Sequence, residues 1–373
     1  MPNKNALGYR PTWAEINLDY LEHNFKEVKS LLSQRTKVLV TVKADAYGHG
    51  LIPVAKRLVT CGVDYLGVAS IDEGIELRKA GIKTPILLLG LILKEDIQPL
   101  FTYRLTPTIC DRGLALALNA RARAQKERIA VHIKVDTGMG RIGVLPEDAF
   151  KLVSEIHKLK HIHIQGIFTH LALADCDRDF TAGQINLFNK LVGDLKKSGI
   201  VIPLVHAANG IGLIRHRSSH FTMVRPGLVI YGLPPQKNLN LNLKPVLSLK
   251  TRVVFIKRVG PGYGISYGLT YVTKRNAWIV TLPVGYGDGY PRNLSNLAWL
   301  LIGGRRFRIS GRICMDQIMV DVGNYKPKIG AQVVLIGKQG KEQVTAQELA
   351  ELSGTISYEI VCGLGNRIPR IYK

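Results

Sequence analysis

The sequence predicts an α/β protein in which a (β/α)8 barrel of the TIM type is followed by a mostly β C-terminal domain. Three observations support this fold class. Eight short runs rich in Val, Ile and Leu alternate with helical patterns from residue 37 onward. After about residue 244 the helical spacing ends, and Gly and Pro interrupt short strand-like runs. The length of 373 residues suits two domains, or one large barrel with an appendage.

The domain boundaries follow from these changes of pattern. We expect residues 1–11 to form an N-terminal extension associated with the β domain, residues 12–244 to form the barrel, and residues 245–373 to form the β domain. The first predicted helix precedes the first barrel strand. Asp19, with Glu22 three residues later, is its predicted N-terminal cap.

Eight predicted strands make up the barrel. They are apolar on both faces and separated by helices, which implies a parallel sheet, and eight repeats favour its closure. An open, doubly wound sheet is the structural alternative. The strands are KVLVTV at 37–42, VDYLGVAS at 63–70, TPILLLG at 84–90, RLTPTIC at 104–110, IAVHIKV at 129–135, IHIQGIFTH at 162–170, PLVHAA at 203–208 and MVRPGLVIYG at 223–232.

The C-terminal part reads as an all-β domain. Segments such as KTRVVFIKRVGPGYGISYG and WIVTLPVGYGDGYP combine strand-forming residues with Gly and Pro. We expect one late helix near residues 346–352 to interrupt these strands.

The composition is that of a folded protein, with 46% hydrophobic and 21% charged residues. A net charge of +23 is compatible with nucleic-acid binding, but the basic residues are spread along the chain and no nucleic-acid-reading motif accompanies them. We therefore expect a solvated basic surface, with neither nucleic acid nor membrane as partner. The N-terminus lacks the apolar stretch of a secretory signal and no run is long enough to cross a bilayer, so the expected location is cytoplasmic.

The cysteines predict neither disulfides nor a metal site. They are odd in number, scattered, and lack C-x-x-C or metal-ligand spacing. We expect reduced thiols, most of them buried. The five residues are Cys61, Cys110, Cys176, Cys314 and Cys362.

Polar residues collect where the predicted strands end. Catalytic groups of a parallel barrel lie at that rim, because the loops there converge on one mouth. Taken singly, each of these residues has a purely structural explanation, such as solvation of a lysine or burial of a histidine in the core. The residues are Lys43 after the first strand, Arg141 in the loop DTGMGRIG after the fifth, His170 and Asn209 closing the sixth and seventh, and Arg225 with Gly227 in the eighth.

Together these residues suit an anionic, phosphorylated ligand. Arginine offers a fixed fork of donors, and glycine lets backbone N–H groups approach phosphate oxygens closely. A lysine that loses its proton among such cations can form a Schiff base.

Six motifs resemble bacterial alanine racemases. They occur in that family's order, and the resemblance extends nearly from Trp13 to the terminal IPRIY. The motifs are VKADAYGHG at 42–50, DTGMGRIG at 136–143, RPGLVIYG at 225–232, SYGLTY at 266–271, PVGYGDGY at 283–290 and GRICMDQIMVDV at 311–322.

The resemblance implies pyridoxal 5'-phosphate as cofactor and assigns residues to it. Lys43 matches the lysine that holds the cofactor, and Arg225, supported by His170, matches the arginine that faces the pyridine nitrogen. Where the family commonly has a phosphate-binding serine after the seventh strand, this chain has Gly210, which retains a backbone N–H but lacks the hydroxyl. Further residues matching or neighbouring the cofactor-phosphate site are Tyr47, Asn209, Gly227, Leu228 and Tyr358.

The resemblance also implies substrate contacts. Tyr267, contributed by the partner subunit of a homodimer, matches the acid/base opposite Lys43, and Arg141 matches a residue that reaches both cofactor and substrate. Met315 matches a substrate-carboxylate contact through its backbone N–H, and Tyr286 an entry-channel tyrosine. Lys134 matches a lysine that is carbamylated in some members.

The implied function is the interconversion of L- and D-alanine by two bases through an external aldimine, supplying D-alanine for peptidoglycan. Arg225 favours a racemase over a related barrel decarboxylase, in which a carboxylate faces the pyridine nitrogen. The sequence is also compatible with a racemase of serine or another small amino acid, and with a non-enzymatic carrier of pyridoxal phosphate or a nucleic-acid binder.

Overall fold

The structure, a computed structural model, describes residues 9–234 and 241–373. Most of the extension predicted for residues 1–11 lies outside the described residues. Within it, Arg10 pairs with the buried carboxylate of Asp288 in the C-terminal domain, at 2.7 Å for one of its two hydrogen bonds. No helix of the described chain has the length and apolar character needed to cross a membrane.

The eight predicted barrel strands are confirmed, and all pair in parallel. They form two four-stranded sheets, β9-β2-β3-β4 and β5-β6-β7-β8. A parallel bridge from Leu87 to Thr106 joins β4 to the β5 segment, and hydrogen bonds from Thr222 and Arg225 to residues of the β8 segment join the other two edges. The sheet is therefore a closed barrel, and the doubly wound alternative is wrong. The strands are β2 (Lys37–Thr41), β3 (Tyr65–Val68), β4 (Ile86–Leu88), β5 (Thr108–Ile109), β6 (Ile129–Lys134), β7 (Ile162–Phe168), β8 (Leu204–His206) and β9 (Met223–Val224).

Helices surround the barrel and bury their apolar faces against it. The first begins earlier than predicted, because Asn17 caps it by accepting the Tyr20 N–H, so the cap assigned to Asp19 is wrong. These helices are α1 (Leu18–Ser30), α3 (Leu51–Thr60), α4 (Ile71–Lys79), α5 (Gln98–Thr102), α6 (Arg112–Ala124), α7 (Pro146–His157), α8 (Arg178–Lys197) and α9 (Gly210–Arg215), whereas the segment α2 (Lys43–Gly48) is a left-handed turn.

Strand β1 (Thr12–Ile16) corrects the predicted start of the barrel at residue 12. It pairs antiparallel with the strand Leu247–Arg252 and parallel with the strand Arg370–Tyr372, so it lies in the sheet of the C-terminal domain. Trp13, Ala14 and Ile16 are buried there. The chain thus begins in one domain and crosses to the other, a long-range pairing that the local pattern of five residues does not reveal.

The C-terminal domain is mostly β, as predicted. Its main sheet has the order β16-β15-β18-β10-β1-β20 with β19 beside β18, and β11-β14-β17 and β12-β13 form smaller sheets. The predicted late helix is α10 (Ala346–Ser353), and a second helix, α11 (Ser357–Cys362), follows it. The strands are β10 (Leu247–Arg252), β11 (Phe255–Val259), β12 (Gly264–Ile265), β13 (Tyr271–Val272), β14 (Ala277–Leu282), β15 (Trp299–Ile302), β16 (Arg305–Arg308), β17 (Ile318–Asp321), β18 (Gln332–Gln339), β19 (Glu342–Val344) and β20 (Arg370–Tyr372).

All five cysteines are free, as predicted, but the expected burial is wrong. Cys176 and Cys362 are exposed, and the other three are partly exposed.

Candidate active site

A cavity of about 800 Å³ opens where the barrel strands end. It brings together every barrel residue assigned to the site from the sequence, together with Tyr358 from α11 in the C-terminal domain. These residues are Lys43, Tyr47, Lys134, Arg141, His170, Asn209, Gly210, Arg225, Gly227 and Leu228.

The turn that follows β2 places Lys43 and Tyr47 on the cavity wall. Residues 44–47 all adopt left-handed backbone angles, with φ between 52° and 55°. Such angles cost about 1–2 kcal/mol per non-glycine residue, so the surrounding contacts must hold the turn. The Glu73 carboxylate accepts the Ala44 N–H at 2.7 Å, and Asp45 accepts the Leu51 N–H at 2.7 Å.

The left-handed turn directs the Tyr47 ring inward, where it packs against two other tyrosines. Its centroid lies 5.0 Å from that of Tyr231 and 5.8 Å from that of Tyr358. A Cβ placed on Gly227 would lie 3.1 Å from the Tyr47 hydroxyl, so the glycine leaves free space beside a polar group. Hydroxyl and backbone N–H groups around such a space suit a phosphate.

Arg225 crosses the floor of the cavity in a fixed orientation. It is 5% exposed and donates to His206 Nδ1 at 2.8 Å, to the Thr169 carbonyl at 2.7 Å and to the Ala207 carbonyl at 3.0 Å. The contact to His170 Nδ1 is longer, at 3.4 Å. Burial, reinforced by Arg141, lowers the pKa of Arg225 to about 9, which still leaves the guanidinium protonated at neutral pH.

Burial and the neighbouring basic groups lower the pKa values of Lys134 and His170. Burial, then Arg225 and Arg141, lower the pKa of Lys134 to about 8. Burial, then Arg225 and Lys134, hold the pKa of His170 well below its ordinary value, so this ring is neutral at neutral pH. A cavity with this charge favours ligands that carry phosphate or carboxylate groups.

Arg141 stands at the mouth on a loop that one carboxylate organises. Asp136 accepts the backbone N–H groups of Gly138, Met139, Gly140 and Arg141 at 2.8–3.1 Å. Burial alone would raise the pKa of Asp136, but these four bonds outweigh it and lower the pKa. Asp136 therefore fixes the backbone from which Arg141 projects.

The predicted residues of the β domain form a separate, exposed group. Tyr267, Met315 and Tyr286 are 71%, 53% and 42% exposed, and none is among the described residues that line the barrel cavity. Tyr286 and Met315 lie on adjoining loops, because the Gly287 N–H donates to the Met315 carbonyl at 2.9 Å. Within one chain, the structure does not bring these three residues to Lys43.

Several residues of the site escaped the sequence analysis. His206 and Asp136 were not assigned, although both stand at strand ends, which is the signal used for their neighbours. His132 lies two residues before Lys134 in β6, and the alternation of a strand would have placed both side chains inside the barrel.

Comparison with known proteins supports the same family over the whole chain. Residues 16–235 match the family model of the alanine racemase N-terminal domain, and residues 246–372 match that of its C-terminal domain. The chain is 50% identical to the alanine racemase of Halothermothrix orenii, over 98% of this chain and 97% of that protein. It is 46% identical to that of Carboxydothermus hydrogenoformans, over 97% of this chain and all of the relative.

Solved structures agree with these relatives. Alanine racemase of Clostridium difficile 630 superposes with a TM-score of 0.94 at 40% identity, covering 98% of this chain and 96% of that one. The Bacillus anthracis enzyme with bound L-Ala-P gives a TM-score of 0.91 at 36% identity, covering 98% and 95%. The chain is an isomerase that belongs to the alanine racemase family.

Proposed function

We propose that the protein interconverts L- and D-alanine with pyridoxal 5'-phosphate, and so supplies D-alanine for peptidoglycan. The observation that carries the proposal is the assembly of Lys43, Lys134, Arg141 and Arg225 around one cavity in a chain of this family. The cavity has room for a cofactor of this size together with a small amino acid.

The donor set fits the cofactor. Tyr47, Tyr358 and the backbone at Gly210, Gly227 and Leu228 would hold the phosphate, because they offer hydroxyl and N–H donors around the space left by Gly227. Lys43 would hold the reactive end of the cofactor, and Arg225 would face the pyridine nitrogen. Bound pyridoxal phosphate makes the Cα proton of an attached amino acid acidic by withdrawing electrons.

The chain's own groups would then move protons and orient the substrate. Lys43 Nζ would take or return the Cα proton on one side, and the Tyr267 hydroxyl would do so on the other. Two bases avoid the need for one group to cross the plane of the substrate. Arg141 and the backbone N–H of Met315 would bind the substrate carboxylate. Because Arg225 keeps its proton, it would leave the pyridine nitrogen unprotonated. This disfavours side reactions that need the ring to be a strong electron sink.

A symmetric homodimer would complete this site. Tyr267, Met315 and Tyr286 form an exposed group of large, partly apolar side chains, which is typical of a protein interface. A two-fold axis that brings this group of one subunit to the cavity of the other would create two equal sites.

The direct test is a D-amino-acid formation assay over a panel of L-amino acids. We expect D-alanine to form faster than any other D-amino acid, and the reverse reaction to yield L-alanine, both only with pyridoxal phosphate present. Faster turnover of serine than of alanine would show that serine is the substrate. Release of carbon dioxide would favour the barrel decarboxylase. Cofactor binding without turnover, or retention of DNA at moderate salt without turnover, would favour a carrier or a nucleic-acid binder.

The dimer has its own test, in which Lys43→Ala and Tyr267→Phe chains are mixed. A heterodimer would contain one intact site and one doubly substituted site, so random exchange should restore about a quarter of the native activity. Absence of complementation despite demonstrated subunit exchange would contradict the shared site. The cytoplasmic location expected from the sequence stays a prediction, to be checked by fractionation.

A further inference from the structure

A chain of buried hydrogen bonds continues from Arg225 into the barrel, away from the cavity. Arg225 donates to His206 Nδ1 at 2.8 Å, and His206 Nε2 lies 2.9 Å from His132 Nδ1. His132 and His206 have no exposed surface. Leu39, Leu87 and Met223 form a buried apolar cluster with Tyr65, whose ring centroid lies 6.3 Å from that of His132.

The order of protons along this row of hydrogen bonds follows from the partners at both ends of His206. A guanidinium has only donors, so His206 Nδ1 accepts as long as its bond to Arg225 is made. Burial first, and Arg225 second, hold the pKa of His206 well below its ordinary value, so the ring is neutral and carries its single proton on Nε2. That proton needs an acceptor, and His132 Nδ1 is in place to be it. His132 is neutral too, because burial lowers its pKa to about 3, and its own proton is therefore on Nε2.

The backbone is built around the His132 ring. Val131 pairs with Ile164 and His132 with Gly166, so Gln165 is the extra residue of a β-bulge in β7. A Cβ on Gly166 would lie 2.4 Å from the ring of His132, so the glycine is required for the ring to lie there. The bulge therefore makes room for His132.

Gln165 lies beyond His132, at the far end of this row of buried polar groups. Among the described residues, neither His132 Nε2 nor the buried Oε1 of Gln165 has a hydrogen bond of ordinary geometry. The Gln165 side chain nevertheless acts on His132, since it opposes the lowering of the histidine's pKa. A donor and an acceptor without other partners are thus left next to each other.

We propose that His132 is a positioning residue that holds His206 in the Nε2–H tautomer, and thereby holds Arg225 in its orientation at the cavity floor. Without the His132 acceptor, the buried Nε2–H of His206 has no partner. The opposite tautomer would place an N–H against Arg225, where two donors cannot bond. The Phe168 ring stacks on His206 with centroids 4.7 Å apart, so it fixes the plane of the ring but not the position of its proton. The catalytic consequence rests on the proposed function, whereas the tautomer does not.

The first test needs no substitution. In protein loaded with pyridoxal phosphate and labelled with ¹⁵N-histidine, His206 should show an unprotonated Nδ1 and a protonated Nε2 from pH 6 to 8. The signal is assigned by its loss in His206→Asn. An Nδ1–H form in the native protein would overturn the proposal whatever the variants do.

The second test compares two substitutions of His132. His132→Asn places a carbonyl oxygen near the former Nδ1 and keeps an acceptor, whereas His132→Leu removes it with similar bulk. In His132→Leu, we expect His206 to lose the Nε2–H signature and kcat for racemisation to fall roughly 10- to 100-fold. His132→Asn should keep the signature and lie within about threefold of the native kcat.

Two controls separate positioning from packing. Val131→Ala, on the same strand and buried in the main core, should lower stability but leave the His206 tautomer unchanged. Equal loss of kcat in the Leu and Asn variants with a native tautomer in both would show that His132 acts only through packing. If the native protein racemises nothing while the tautomer pattern is as stated, the proposed function fails and the hydrogen-bond order stands.

Discussion

The two halves of the proposed site are built in opposite ways. In the barrel, Lys134 and Arg225 are 4% and 5% exposed, and buried neighbours hold them in place. In the β domain, Tyr267 and Met315 are 71% and 53% exposed. The barrel half is thus organised within one chain, whereas the β half presents its groups outward. We therefore expect cofactor binding to need only one chain, and proton transfer on the second side to need the exposed Tyr267 of another subunit.

Exposure of Tyr267 does not imply that its backbone is disordered. Ser266 and Leu269 adopt positive φ values of 65° and 46°, and the Ser266 hydroxyl donates to the Arg312 carbonyl at 2.5 Å. Arg312 also flanks Gly268. The turn is therefore held by its own domain and presents Tyr267 in a defined position.

The largest effect should come from Lys43. On the proposed assignment, Lys43→Ala would remove both a proton-transfer group and the point of cofactor attachment, so we expect racemisation to fall by roughly 10⁴-fold, together with loss of the visible absorbance of the bound cofactor. Lys37→Ala, at the opposite end of β2, is the matched control and should keep both properties. A Lys43→Ala protein that still racemises alanine would show that Lys43 is not one of the two bases.

Tyr267→Phe should come next. It keeps the ring that would pack in the proposed dimer interface and removes the hydroxyl, so we expect dimerisation to persist and turnover to fall by roughly 10²- to 10³-fold in both directions. Kinetics in the L-to-D and D-to-L directions and sedimentation measure these two properties. Tyr263→Phe, another exposed tyrosine of the same domain, should be close to native. Native rates for Tyr267→Phe in both directions would refute the two-base assignment.

Low pH should destabilise the barrel more than the C-terminal domain. All ten histidines precede residue 245. Burial lowers the pKa of His132 to about 3 and of His49 to about 4, below the ordinary 6.5. Between the folded-state pKa of each histidine and its unfolded-state value of 6.5, the unfolded chain binds more protons than the folded chain. The free energy of unfolding therefore falls as the pH drops below 6.5. The loss is at most about 1.4 kcal/mol per pH unit for each such histidine.

Hydrogen exchange resolved by segment from pH 7 to 4 measures this difference. We expect barrel strands to lose protection before β10, β15 and β18. His132→Asn should reduce the pH dependence, whereas substitution of the exposed His157 should leave it unchanged. Equal loss of protection in both domains would show that the buried histidines do not control acid stability.

The smallest effect concerns Gly210. A Cβ there would meet Val229 at 3.5 Å, which is ordinary contact, so Gly210→Ser should fold without strain. The added hydroxyl should tighten cofactor binding by about three- to tenfold, corresponding to one hydrogen bond of about 1 kcal/mol. Cofactor titration measures the change, with Gly210→Ala as the control that adds bulk without a donor. Equal affinity of the Ser and Ala variants would mean that the hydroxyl does not reach the phosphate.

Much of the barrel site could be predicted because parallel strands bring their ends to one rim. Lys43, Arg141 and Arg225 are far apart in sequence, yet their positions after apolar runs sufficed to group them. The start of the first helix could not be predicted in the same way. Asn17 and Asp19 are both favourable cap residues, and only the backbone geometry shows that Asn17 is the cap. Helix α11, which carries Tyr358 to the cavity, is six residues long, too short to show a helical period.

By itself, the sequence determined the barrel, the β domain and the family, because apolar periodicity and contiguous motifs are local properties of the chain. Only the tertiary structure placed β1 in the distant sheet, arranged residues 44–47 as a left-handed turn, and joined Arg225 to His206 and His132. These features depend on contacts between segments far apart in the chain, and on buried protons that must find acceptors. No local pattern encodes such contacts, since they arise only when the barrel closes and its interior excludes water.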